Sequence, residues 1–321
     1  MKIKIVKLQY FKNIDGLVNS SINGTAFCYK HFLKLNKVED ILCAYKEDTL
    51  LGFMPLFIKG NKLLQSSMYI PYGGPIFLFD ETNYRKAFNL KREIITQFCE
   101  YLTSNLLSIC FSFDVLTLDA IPCVRNNLIP EIRYTYKIDL SQDIEDIYNN
   151  FGSDRKKDLR KAARANLVIL EDKEINAFDI NKALNWEKKY GEESSVDFVK
   201  KYLKQSIRLD KGACFIAKIS EKVVGGIGVV WDNKNCYIMY SYCEKKLDIG
   251  IIASLYYHLI KYLKDNNLVR YLDFEGSVFE EIEQWNLSFG AKQYIYFNFY
   301  WQKENNEELF LELYDYGDKN G

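Results

Sequence analysis

Apolar and polar positions recur along this chain with two different periods. The opening "MKIKIVKLQYF" alternates charged and apolar residues, the period of a strand with one buried face. Residues 42–58, "LCAYKEDTLLGFMPLFI", are two apolar runs joined by the polar "KEDT". Residues 215–231, "FIAKISEKVVGGIGVVW", repeat that arrangement around "SEK". Each predicts a hairpin. Laid over one another without gaps, the two stretches place Ala44 on Ala217 and Gly52 on Gly225. Each glycine falls early in a second strand, where it permits a bulge or a close backbone approach.

The segments that follow also match. The first hairpin leads into the Pro/Gly turn "IPYGGPI", a helical pattern in "YRKAFNLKREIITQFCEYLTSN", and a strand in "SICFSFDV". The second leads into the strand "CYIMYSY", the helical pattern "IIASLYYHLIKYLKDNN", and the strand "VRYLDFEG". Both last strands carry an acid, Asp114 or Asp273. Two identities in seventeen positions are weak, but the shared element order makes an internal duplication the better explanation. The expected fold is therefore α/β with mixed sheets, in two tandem domains, 1–133 and 134–321. The boundary lies at "IPEIRYTYKIDLSQD", which Pro130 punctuates. "YTYKIDL" then reads as a strand, and Ser141 with Glu145 lies near the start of a helix. Gly152 closes that helix, and Ser153 or Asp154 can cap the next. "ANLVILED" returns to a strand. Near the end, "KQYIYFNFYWQ" reads as a strand of the second domain, and a last helix at about 304–316 is expected to pack back on the first.

Composition narrows the function. With 321 residues and 48% hydrophobic side chains, the chain is long enough for two cores. It carries 43 basic and 43 acidic residues, a balance that argues against a general nucleic-acid binder and against DNA as a partner. The eight cysteines are scattered without a CxxC or metal-ligand spacing, so buried free thiols, a reducing compartment and no metal are expected. His31 and His258 are the only histidines, and His258 sits in a helical pattern where a half-buried packing role fits. Aromatics reach 15%, alongside abundant Ile, Lys and Asn, which reads as compositional drift rather than a stacking surface. The N-terminus lacks the apolar stretch of a signal peptide, and no apolar run is long enough to span a membrane. Cytoplasm is the expected location.

Against that balanced background, "SDRKKDLRKAARANL" stands out. Arg155, Lys156, Lys157, Arg160, Lys161 and Arg164 put six positive charges into ten residues. A solvated amphipathic helix is the plain reading. A local patch for a compact anion is the alternative, with Arg160 and Arg164 extending one positive stripe.

Hairpin, strand, helix and acid-tipped strand, occurring twice, resemble the tandem GNAT-like cores of the FemAB group. Three segments carry the likeness: "YTYKIDLSQDIEDIYNNFGSDRKKDLRKAARANLVILED", "YLDFEGSVFEEIEQWNLSFGAKQYIYF" and, more weakly, "NGTAFCYKHFLKLN". FemAB enzymes attach amino acids from aminoacyl-tRNA to peptidoglycan precursors. The resemblance implies that Ser153 and Arg155, at the head of the basic helix, help hold the diphosphate of a nucleotide-linked acceptor, with Arg160 beside them. CoA-dependent relatives grip pyrophosphate with a loop resembling Q/R-x-x-G-x-G/A. Here "EKKLDIGIIASL" keeps Gly250, preceded by Lys245 and Lys246, but has Leu247 and Ile252 where a basic and a small residue are expected. That departure weakens acetyl-CoA as donor and leaves aminoacyl-tRNA open.

In "DFEGS", side-chain alternation puts Asp273 and Glu275 on one strand face, where a carboxylate at the strand end can take the proton of an attacking amine. The plain alternative is that Glu275 pairs with a lysine or caps the next helix. Gly276 leaves room for substrate near the backbone. Tyr72, in the "IPYGGPI" loop, is a candidate for lining an acceptor groove. Backbone N–H groups of a splayed strand around Tyr240 to Cys243 would steady an oxyanion. The expected function is acyl or aminoacyl transfer to an amine of a cell-envelope or polysaccharide precursor, with acyl-CoA or aminoacyl-tRNA as donor. A CoA-dependent N-acyltransferase on an amino sugar and a non-catalytic binding protein with a degenerate GNAT fold are the alternatives.

Overall fold

A computed structural model describes residues 1–64, 70–185, 195–276 and 280–303. Contacts divide the chain into two compact units, Met1–Arg133 with the stretch from Ile295 onward, and Tyr134–Tyr294. Each mixes helices with mostly antiparallel strands, the α/β class that the patterns predict.

In the first unit, β1 (Lys2–Lys7), β2 (Asp40–Lys46), β3 (Thr49–Leu56), β4 (Ile58–Lys59), β5 (Lys62–Leu64), β6 (Ile76–Phe77) and β7 (Ser108–Ser112) follow in order. One antiparallel sheet runs β1-β2-β3-β6, while β5 pairs in parallel with β7. The Tyr84–Asn105 helix starts where the Asn83 side chain accepts the Lys86 N–H at 3.1 Å. Its Ile94, Phe98 and Leu102 recur every fourth residue. That face buries against Leu42, Ala44, Leu51 and Phe77 of the sheet.

The second unit contains β8 (Ile129–Asp139) from Tyr134 on, β9 (Val168–Glu171), β10 (Gly212–Ile219), β11 (Lys222–Trp231), β12 (Asn235–Cys243) and β13 (Tyr271–Gly276), in sheet order β8-β13-β12-β11-β10-β9. Only β12 and β13 are parallel, joined through the Ile251–Asp265 helix. That helix sets Ile251, Leu255, Leu259 and Leu263 on Ala213, Phe215, Ile227 and Val229. Two local expectations are corrected. Pro130 does not end an element, because β8 runs through it. Neither Ser153 nor Asp154 caps the basic helix, Ser153–Arg164; Gly152 holds the cap position, with no side-chain hydrogen bond. The amphipathic Val196–Arg208 helix was not read from the sequence.

The two hairpins share register as well as order. Ala44 faces Gly52, and the β2–β3 pairing shifts just beyond Ala44. Ala217 faces Gly225, and the β10–β11 pairing shifts just beyond Ala217. In each, the next strand comes close: a Cβ on Gly52 would lie 2.9 Å from the Ile76 carbonyl, and one on Gly225 2.9 Å from that of Tyr242.

"KQYIYFNFYWQ" forms β14 (Lys292–Gln302), as its pattern predicts. Its assignment to the second domain needs correction. From Ile295 on, it belongs to the first unit, pairing antiparallel with β7 from Asn298↔Ser112 to Gln302↔Ser108. Phe299 is buried there against Phe111 and Phe113. The helix expected at about 304–316 lies outside the described residues.

Candidate functional site

In the second unit, β12 and β13 pair only from Asn235↔Tyr271 to Tyr237↔Asp273. β12 continues to Cys243 and β13 to Gly276, so no ladder bond joins them beyond that point. On its other side, β12 bulges: its pairing with β11 passes from Val229↔Ile238 to Gly228↔Tyr240, leaving Met239 as the extra residue. Parted strand ends of this kind leave backbone N–H and C=O groups open to another molecule. The expected splay around Tyr240 to Cys243 falls on this stretch.

Asp273 and Glu275 stand at this place but differ in kind. Asp273 is fully buried, and both of its carboxylate oxygens are engaged. Oδ2 pairs with Lys137 Nζ at 3.0 Å, while Oδ1 accepts the Thr135 hydroxyl at 2.5 Å and the Glu275 N–H at 2.8 Å. Lys137, itself buried, also donates to Asn235 Oδ1 at 3.0 Å. A carboxylate held by three partners in a buried place serves structure. The alternation expected to align the two acids stops here. Pairing of β13 with β8 slips between Asp273 and Gly276, and Glu275 has φ of 61°. A left-handed conformation costs a non-glycine residue of order 1–2 kcal/mol, and the Asp273 hydrogen bond to its N–H helps to hold it. Glu275 Oε1 is enclosed and has no hydrogen-bond partner among the described residues. Burial first, and the Asp273 charge second, push the Glu275 carboxyl well above its ordinary range.

Aromatic and basic groups complete the arrangement. Burial raises the pKa of the Tyr256 phenol, which neighbours the Ser241, Trp285, Cys243 and Glu275 side chains. Trp285 in turn carries the Arg155 guanidinium 4.1 Å from its ring centroid. Arg155 pairs with Asp158 at 3.1 Å, its side chain is 14% exposed, and its enclosed Nε has no hydrogen-bond partner among the described residues. Arg160 and Arg164 are exposed. Arg160 and Arg164, four residues apart, share one exposed face, but five residues turn a helix by about 140°, so Arg155 lies off that stripe and faces inward. Ser153 is exposed at the helix head.

The Gly250 loop comes to the same helix. Asp248 and Gly250 are left-handed, with φ of 41° and 70°. A Cβ on Gly250 would run into the Asp158 carbonyl, so only glycine fits both the conformation and the approach. Asp248 is tied to Lys161 at 2.9 Å. Lys245 and Lys246 are exposed beside it.

Tyr72 does not line a groove. It is 2% exposed in the first unit, its ring edge-on to Phe27 and Tyr296 and its carbonyl accepting the Thr25 hydroxyl. Asp114 accepts from Thr117 Oγ1 at 2.6 Å and the Leu116 N–H at 3.0 Å, which fixes a turn. His258 is half-buried against Phe215, as expected, and burial lowers its pKa. The cysteines are free. Among the described residues, no cluster of His, Cys, Asp or Glu could hold a metal, and no helix is long and apolar enough to cross a membrane. Lys137, Thr135, Tyr256 and Trp285 were not singled out as site residues from sequence.

No family model matches the chain, and no curated protein matches it. Solved structures do. FemX aligns with TM-score 0.66 at 12% identity, over 96% of this chain and 99% of that one. L-PGS from Bacillus licheniformis aligns with TM-score 0.59 at 11% identity, over 95% and 96%. An acetyltransferase of the GNAT family from Colwellia psychrerythraea aligns with TM-score 0.53 at 12% identity, over 94% and 100%. The chain has the fold of these proteins.

Proposed function

We propose that the chain is an acyl or aminoacyl transferase acting on an amine of a cell-envelope or polysaccharide precursor, with its reaction centre at the parted ends of β12 and β13. The observation that carries this reading is the enclosed Oε1 of Glu275 at those strand ends, which has no hydrogen-bond partner among the described residues. Open backbone N–H groups beside it can steady the oxyanion of acyl transfer, which asks mainly for positioning. Glu275 is the group placed to exchange a proton, and Asp273 supports it.

The acceptor in this reading carries a diphosphate, as the FemAB resemblance implies. Arg155, backed by Trp285 and with Nε to spare, is the residue to meet it. Ser153 at the helix head, and Arg160, Lys245 and Lys246 as exposed groups nearby, contribute a weaker local field. For the donor, the Asp158 carbonyl packed at Gly250 leaves less room for a CoA pyrophosphate, which favours aminoacyl-tRNA over acyl-CoA.

Incubating the purified protein with acyl-CoA or aminoacyl-tRNA and nucleotide-linked amines, followed by mass spectrometry, tests the reading. Growth of an acceptor by one acyl or aminoacyl mass is expected. Transfer from acyl-CoA alone would move the function to a CoA-dependent acyltransferase. Binding of a ligand with no product under any pairing would leave a non-catalytic binder.

A further inference from the structure

The groups around Glu275 bear on what it does with its proton. Asp273 and Glu275 are two carboxyls two residues apart on one bulged strand. Lys137 compensates the first at 3.0 Å, and no hydrogen-bond donor meets the enclosed Oε1 of the second among the described residues. Among the described residues, three elements contribute titratable groups: Asp273 from the same strand, Lys137 from β8 behind Asp273, and Tyr256 from the Ile251–Asp265 helix. The cation is already engaged, and the other two are an anion and a phenol. Among the described residues, no further cation acts on Glu275 to balance a second negative charge.

We propose that Glu275 enters the reaction as a protonated carboxyl that donates to the leaving group, and that Asp273, with Thr135 and Lys137, is the positioning device that keeps it so. This rests on the transferase reading above and changes the role expected from sequence, where Glu275 was a base. The upward push on the carboxyl agrees with the geometry. The step balances. The amine nitrogen attacks the acyl carbonyl carbon and a C–N bond forms. The carbonyl then re-forms as the bond to the leaving oxygen or sulfur breaks, and that atom takes the Glu275 proton. The ammonium proton returns to the Glu275 carboxylate. One amide and one alcohol or thiol result. The Asp273 charge opposes ionisation of its neighbour, while its Oδ1 fixes the Glu275 backbone N–H.

The test uses the full-length protein. In protein carrying carboxyl-13C glutamate, the resonance that disappears in Glu275→Gln should sit at the neutral-acid position at about pH 7. The rate profile of the unaltered protein supplies a second readout independent of any variant: its alkaline limb should belong to Glu275. Asp273→Asn keeps an acceptor for the Glu275 N–H but removes the charge, so that limb should move to lower pH. A purely structural role would leave the limb where it is. Donors separate the steps further. Glu275→Gln should slow transfer from an adenosine ester by about 10²–10⁴-fold and from a CoA thioester by about tenfold or less, because an alkoxide needs the proton far more than a thiolate. Turnover with an ionised Glu275, or equal losses on both donors, overturns the proton-donor role and leaves the transferase reading standing. A neutral carboxyl with no turnover on either donor overturns the transferase reading, and the donor role with it.

Discussion

Arg155 and Arg164 belong to one basic run, yet only Arg155 is drawn inward, over Trp285. Arg155→Ala should weaken binding of a diphosphate probe such as UDP by about 1.5–3 kcal/mol, the scale of a charge-assisted hydrogen bond. Arg164→Ala should cost a few tenths at most, and both losses should shrink in high salt. Calorimetry on the two variants checks this; equal, negligible losses would return the helix to a solvated face. Glu275 makes a second prediction at this scale. Its folded carboxyl is raised above the unfolded value, so the folded chain keeps a proton that the unfolded chain releases. The stability this gives is complete below the unfolded value, about 4.3, and is lost as pH rises through the folded one. Glu275→Gln abolishes the loss. Its melting temperature should exceed that of the unaltered protein by a few degrees at about pH 8 and match it near about pH 4. A variant that melts lower at pH 8 would contradict the buried neutral acid.

At the scale of elements, the Gly250 turn joins two helices. Gly250→Ala must place a Cβ in left-handed backbone against the Asp158 carbonyl, so it should destabilise the protein by about 2 kcal/mol or more. Denaturant unfolding measures this, and a neutral effect would mean that the approach is looser than described. Elements were also where the sequence was most readable. Hairpins, the Tyr84–Asn105 helix and the Ser108–Ser112 and Tyr271–Gly276 strands follow from apolar periodicity, which is local, although Asp114 lies past its strand in a turn. The bulge at Glu275 does not. It depends on a hydrogen bond from its N–H to Asp273, whose charge is held by a lysine 136 positions earlier in the chain, and no periodicity records that. The inward turn of Arg155 likewise depends on Trp285, far along the chain from the basic run. Tyr72 failed as a groove residue for a related reason: a Gly/Pro turn looks exposed until its ring partners are known.

At the scale of the whole molecule, the two hairpins share an Ala–Gly register and a shift at matching positions, a likeness that the apolar pattern alone does not specify. Register matters to each hairpin, because one residue of slip turns every side chain to the other face. The last strand departs from a simple tandem reading. Its residues from Ile295 onward complete the first unit, although they lie far past the boundary in sequence. The first unit therefore depends on β14. Phe299→Ala removes a ring that is fully buried against Phe111 and Phe113, and should cost about 3–5 kcal/mol. That loss should fall on the first unit. Hydrogen exchange read by mass spectrometry should show protection falling across 84–112 while 212–231 and 251–265 keep theirs. Loss of protection centred on the second unit instead would assign β14 to the domain that the sequence first suggested, and would restore the simple division at residue 133.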